Sequence, residues 1–210
     1  MKIESVKLGA SGTATVAAGG SSFLVRLSLL GELGLEPSTL VPGAELGELE
    51  GGLLALAAEV HEAEKRGLAL LARAEQSAWM LRAKLETRGL SPRAVKIALG
   101  RLSASGILDD ARFAAAYAAA RLARRAEGPA SLAAALRAKG LDGETVKAAV
   151  TAAFGQVAAP EERRLALEKA AARELKRSKG DEGLARSRLR ALGYKSAEIA
   201  ELFGEGDGAP

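Results

Sequence analysis

One pattern dominates the 210-residue chain. The run Ser77-x3-Leu81-x3-Leu85-x2-Arg88-Gly89-Leu90-Ser91-x3-Val95 recurs as Gly128-x3-Leu132-x3-Leu136-x2-Lys139-Gly140-Leu141-Asp142-x3-Val146, with every matched position offset by 51 residues. A third, weaker copy places Ala185, Leu189, Gly193, Tyr194 and Ile199 each 53 residues beyond their counterparts in the second. Self-similarity at a period of roughly 50 residues marks stacked supersecondary units, none of which buries its apolar face alone.

The chemistry of one copy specifies its shape. Leu81/Leu85, Leu132/Leu136 and Ala185/Leu189 are four apart, so each pair shares a helix face that must be buried. Gly89, Gly140 and Gly193 follow at the expected helix end, where glycine accepts the left-handed conformation of a C-terminal cap. Ser91, with Pro92 behind it, and Asp142 read as N-caps of the next helix, and Ser196 takes that place one residue later in the third copy. The unit is therefore helix, tight turn, helix. A further helix precedes each pair, over about Glu59 to Ala74, Ala111 to Arg125 and Glu161 to Arg177, which gives nine helices in three units. Gly106 closes the first unit, Asp109-Asp110 opens the second with carboxylates at a positive helix N-terminus, and Gly155 to Pro160 separates the second from the third.

The first fifty residues follow a different period. Lys2 to Leu8 alternates polar and apolar, Gly9 to Gly12 is turn chemistry, and Thr13 to Val16 and Ser22 to Leu27 read as further strands divided by Gly19-Gly20. From Leu29 the alternation loosens, and Pro37 and Pro42-Gly43 punctuate a short helix or loop. The expected fold is mainly α: three tandem three-helix repeats in an elongated curved array, preceded by a small N-terminal β-meander. The expected divisions are 1–52 for the meander, 53–108, 109–158 and 159–204 for the repeats, and 205–210 for a disordered tail, with the first boundary near Gly51-Gly52. Composition agrees: alanine is the commonest residue, Leu, Arg, Glu and Lys fill much of the remainder, and the aromatics are only 3%.

Composition also narrows function. There is no cysteine, and His61 is the single histidine, so neither a thiol nucleophile nor a His-ligated metal cluster is available. No phosphate loop occurs, and Gly204-x-Gly206-x-Gly208 lacks the strand-then-helix setting of a dinucleotide fingerprint. Asp109-Asp110 is read as a helix cap rather than as a metal pair or proton-transfer dyad, because adjacent residues point in different directions. The expectation is a chain without catalytic residues, cofactor or metal. Met1 to Leu8 lacks the apolar core of a signal peptide and no uncharged apolar run nears the ~18 residues of a membrane span, so a cytoplasmic, membrane-free protein is expected.

What remains is basic charge. Residues 1–57 hold three basic residues (Lys2, Lys7, Arg26) and six acidic ones, so 27 of the 30 basic and 20 of the 26 acidic residues lie beyond them. The candidate binding face consists of Arg82, Lys84, Arg88, Arg93, Lys96 and Arg101 in the first repeat, Arg124, Arg125, Arg137, Lys139 and Lys147 in the second, and Arg186 and Arg190 in the third. Any one of these on its own is a solvated surface charge. Stacked repeats set equivalent residues on one side, where a row of cations complements a phosphate backbone or an acidic groove.

The run Leu108-Asp109-Asp110-Ala111-Arg112-Phe113-Ala114-x2-Tyr117-x3-Arg121, followed by Gly128-x3-Leu132-x3-Leu136-x3-Gly140, resembles the signature of the RecX family. Ala72-Arg73-x3-Ser77-x3-Leu81-x3-Leu85-x3-Gly89 is similar to that family's first unit. The resemblance covers about residues 58 to 203 and implies a non-enzymatic modulator that lies along a RecA–DNA filament, lowers its ATPase, strand-exchange and coprotease activity, and touches single- or double-stranded DNA; a monomer is expected. Within the signature, Asp109, Asp110, Phe113, Tyr117, Arg121 and Gly128 are expected to be structural. Phe113 and Tyr117 are four apart on a core face, and the Tyr117 hydroxyl needs a partner. Two departures stand out: Ala130-Ser131 follows Gly128 where bulkier or basic residues are usual, and Ala185 replaces a larger apolar residue. The alternative is a DNA-binding protein, either sequence-independent or of helix-turn-helix type. The second helix of each pair is poor in the Asn, Gln and Arg that read base edges, which weighs against base readout.

Overall fold

The computed structural model describes residues 1–124, 127–156 and 160–204. Arg125 and the tail 205–210 lie outside them. Among the described residues the chain is mainly helical, with ten helices and one three-stranded antiparallel sheet. It divides into two compact units after Leu108.

The first unit opens with β1 (Ile3–Leu8), β2 (Thr13–Ala18) and β3 (Ser21–Arg26), in spatial order β1-β2-β3. The register pairs Val6 with Val16 and Ala14 with Val25. Period-two alternation buries Ala14, Val16 and Ala18 of β2 on one face. Next come α1 (Leu27–Glu32), α2 (Glu48–Leu71), α3 (Ala78–Glu86) and α4 (Pro92–Ala104). Ile3, Val16, Val25, Leu29 and Leu30 belong to the same hydrophobic core as Leu54, Val60, Leu81, Leu85, Val95 and Leu102, so sheet and first repeat are one packed body. Full burial of each Leu or Ile in that core is worth about 1.5–3 kcal/mol.

Helix α2 begins eleven residues before the expected Glu59 and runs through Gly51-Gly52. Two contacts account for this. Glu50 Oε2 accepts from the Gly47 N–H at 2.9 Å and starts the helix, and the Met1 side chain fills the space a side chain at Gly51 would take. Glycine there is a packing solution between strand and helix rather than a break.

The second unit holds the remaining two repeats: α5 (Asp110–Arg124), α6 (Pro129–Arg137) and α7 (Gly143–Thr151), then α8 (Pro160–Arg177), α9 (Glu182–Ala191) and α10 (Ser196–Phe203). The helix, turn, helix reading holds in all three copies. Gly89, Gly140 and Gly193 have φ of 83°, 78° and 92° at the turn, and the paired leucines before them are fully buried. Ser77, Ser91, Asp142 and Asp181 each accept a backbone N–H from the first turn of the helix they cap. The third copy departs from expectation at Ser196, which is the first helical residue. The N-cap is Lys195, whose N–H donates to Glu198 Oε2 at 3.1 Å, so the acid three residues on does the capping. Leu167, Ala170, Ala171, Leu189, Tyr194 and Ile199 form the core of this repeat.

Candidate functional site

Geometry sorts twelve of the thirteen candidate cations, all but Arg125, by what each already holds. Arg101 is committed to structure: its Nε donates to the buried Glu64 carboxylate and its Nη1 to Glu32, while Arg26 approaches Glu64 from β3 at 3.9 Å. The bond to Glu32, then that to Glu64, pushes the Arg101 guanidinium above its usual range against the opposing effect of burial. This network ties sheet, α1, α2 and α4 together. Arg186 lies 5.2 Å over the Phe203 ring and donates to the Phe203 and Gly204 carbonyls at 3.4 and 3.3 Å, which closes α9 onto the end of α10. Lys139 stands 5.8 Å from the centroid of the Tyr117 ring. Lys84 Nζ donates to Gln76 Oε1 at 2.7 Å while its side chain remains at the surface.

Eight candidates are exposed and make no side-chain hydrogen bond, ion pair or ring contact among the described residues: Arg82, Arg88, Arg93 and Lys96 in the first unit, and Arg124, Arg137, Lys147 and Arg190 in the second. The first four share one hairpin, α3, the Gly89 turn and the first turns of α4. Helix α4 contains Arg93, Lys96 and Arg101 and no acidic residue. This is the densest group of uncommitted positive charge in the first unit.

The signature residues build the second repeat. Asp109 Oδ1 accepts the N–H groups of Ala111 and Arg112 at 2.8 and 3.0 Å, and the bond from Arg112 is the largest cause of a carboxyl held below its ordinary range. Phe113 and Tyr117 stack with centroids 5.8 Å apart. Arg121 Nη1 donates to the Tyr117 hydroxyl at 2.9 Å, and its Nε pairs with the buried Glu127, which raises the guanidinium. Gly128 N–H donates to the Leu192 carbonyl at 2.8 Å, so α6 starts directly on the α9–α10 turn. A Cβ on Gly193 would lie 2.8 Å from that of Ala130, which is why small residues follow Gly128 here.

Sequence reasoning missed the buried acids, though a signal for them exists. Glu64 follows Val60 and Ala63 on the buried stripe of α2, and Glu174 follows Leu167, Ala170 and Ala171 on that of α8. An acid at i+3, i+4 or i+7 of an apolar stripe must be buried and therefore paired. Glu174 meets Arg177 at 3.3 Å and Arg188 at 3.9 Å. No group of three or more His, Cys, Asp or Glu with metal-binding geometry occurs among the described residues. No described helix is long and apolar enough to cross a membrane.

Residues 109–150 match the family model described as RecX, second three-helix domain. The regulatory protein RecX of Xanthomonas oryzae pv. oryzae (strain MAFF 311018) is 44% identical over 86 residues, which is 41% of this chain and 53% of that protein. Regulatory protein RecX of Xanthomonas axonopodis pv. citri (strain 306) is 43% identical over 91 residues, 43% of this chain and 56% of the relative. The match thus spans about half the length of these curated relatives. In three dimensions the chain is similar to a crystal structure of regulatory protein RecX, with a TM-score of 0.75 and 22% identity over 98% of this chain and 99% of that one. It is also similar to RecX from Lactobacillus salivarius, with a TM-score of 0.60 and 14% identity over 70% and 96%. At these identities the solved structures speak for the fold alone, and the sequence matches speak for the stretch they cover. Residues 109–150 are thus similar to the second three-helix domain of RecX proteins, and the chain as a whole has the fold of solved RecX structures.

Proposed function

We propose that this chain is a cytoplasmic, monomeric regulator of RecA that binds along the RecA–DNA filament and lowers its activity in recombination and repair, and that it acts by binding without catalysis. The family resemblance supplies the partner. The observation that carries the reading to particular residues is the set of exposed cations whose side chains have no hydrogen bond, ion pair or ring contact among the described residues: Arg82, Arg88, Arg93 and Lys96 in one unit and Arg124, Arg137, Lys147 and Arg190 in the other. Charge left unpaired at a surface steers association with an acidic partner and is screened by salt. Lys84, and Lys139 beside Tyr117, extend the face in each unit, while Arg101 and Arg186 hold the fold behind it.

The experiment is a binding titration of this chain against RecA assembled on single-stranded DNA, run beside the bare oligonucleotide. The reading expects saturable binding to the filament that weakens as salt rises. Binding to neither probe at tens of micromolar would refute it, and equal binding to both would move the function to sequence-independent DNA binding.

A further inference from the structure

Resting on that reading, we infer that the outward face of α4, centred on Gly100, is the seat of an acidic helix of the protein partner. Gly100 lies inside a 13-residue helix, on the side opposite Ala94, Val95, Ala98, Leu99 and Leu102, which are buried in the core. Among the described residues nothing calls for glycine there: a Cβ at Gly100 would meet no atom within 4 Å, and its φ is not positive. A helix-interior glycine weakens the helix relative to alanine, so the position carries a cost that the folded chain does not offset. Gly67 shows the opposite case, since a Cβ there would press on Leu102 Cδ1 at 2.9 Å. What glycine gains at an exposed helix position is close approach by another backbone.

The neighbours of Gly100 specify that backbone. Arg93 and Lys96 are exposed one to two turns before it and have no ion-pair or hydrogen-bond partner among the described residues, while Ser103 and Ala104 continue the same face with small side chains. A face that is cationic at one end and small and neutral at the other matches a protein interface with a close-packed centre and a charged rim. A phosphate track would ask for cations along the whole length, and base readout would ask for Asn or Gln. A helix crossing at Gly100, with carboxylates reaching Arg93 and Lys96, satisfies both ends.

Gly52 in α2 has equally empty surroundings, but its neighbours one turn away are Glu48, Leu49, Ala55 and Leu56, so it serves as the control. The test compares Gly100→Ala, Gly100→Leu and Gly52→Leu for thermal unfolding, for binding to RecA on single-stranded DNA and for binding to the bare oligonucleotide. Gly100→Ala is expected to raise Tm by about 1–4 °C. Gly100→Leu is expected to weaken filament binding by about tenfold or more with Tm unchanged or higher, while Gly52→Leu leaves binding within about twofold. Unchanged filament binding by Gly100→Leu overturns the inference and leaves the proposed function standing. Parallel loss on bare oligonucleotide overturns the protein occupant in favour of a phosphate backbone. Absence of filament binding by the unsubstituted chain overturns both.

Discussion

Gly128 and Gly193 touch backbone to backbone: a Cβ on Gly128 would stand 2.6 Å from the Gly193 carbonyl carbon, and the Gly128 N–H already donates to the neighbouring Leu192 carbonyl. The second and third repeats meet there without a side chain between them. Gly193 also sits at φ 92°, where an L side chain is strained. Gly128→Ala must therefore move the α9–α10 turn, and overpacking of this kind costs about 1–3 kcal/mol. Urea unfolding is expected to show that loss, with hydrogen-exchange protection falling first in α9 and α10. A midpoint within error of the parent would show that the joint is loose.

Glu64 is the second fixed point. It is buried with Arg101 on one side and Arg26 on the other. Glu64→Ala leaves Arg101 with Glu32 alone, so the loss is expected to stay below the about 3–5 kcal/mol of breaking a fully buried pair, at about 1–3 kcal/mol. Arg101→Ala is expected to fall in the same range, and the double variant to lose less than the two singles together. By contrast, charge reversal of Arg82, Arg88, Arg93 and Lys96 is expected to leave Tm within about 2 °C, because none of the four side chains has an ion pair or hydrogen bond to lose among the described residues.

Much of this was legible in the sequence, and what escaped it did so for physical reasons. The 51-residue offset, the glycine turns, the Ser91 and Asp142 caps and the three strands all depend on neighbours within one turn or one hairpin. The start of α2 did not show, because it is fixed by Met1 lying over Gly51, a contact between residues fifty apart. Nor does residue type alone tell a committed cation from a free one: Arg93 and Arg101 lie two turns apart on the same helix, and only the fold places Glu64 and Glu32 beside the second. The reason for Ala130-Ser131 is likewise three-dimensional, since it is the Gly193 turn that rests on them.

Two acids give opposite pH responses. Asp142 is held below the ordinary carboxylate range, chiefly by the Thr145 hydroxyl and then by the Thr145 N–H. A depressed carboxyl stabilises the fold above its unfolded value near 4, and that contribution is lost as pH falls through the lower folded value. Asp142→Asn keeps a cap but is expected to flatten the dependence of the unfolding midpoint as pH falls below the ordinary carboxylate range.

Tyr194 responds at the other end. Burial pushes its phenol up to about 12, with Glu198 and Glu127 adding to the shift, and its hydroxyl has no hydrogen-bond partner among the described residues. The protonated phenol is favoured in the fold, so its contribution is complete below pH 10 and is lost as pH rises towards 12, by roughly 2–3 kcal/mol. Tyr194→Phe is expected to match the parent at pH 7 and to resist alkali better. An identical alkaline midpoint would contradict the assignment.

We propose that the uncommitted cations deliver this chain to a RecA filament. The most direct test is the ATPase rate of RecA on single-stranded DNA as the chain is titrated in, repeated with Arg82, Arg88, Arg93 and Lys96 reversed to Glu. The account predicts a dose-dependent fall in ATPase that the reversed variant, with its Tm intact, loses by about tenfold or more in effective concentration. An ATPase unchanged at tens of micromolar of the unsubstituted chain would contradict the regulatory reading, and equal inhibition by the reversed variant would contradict the assignment of the face.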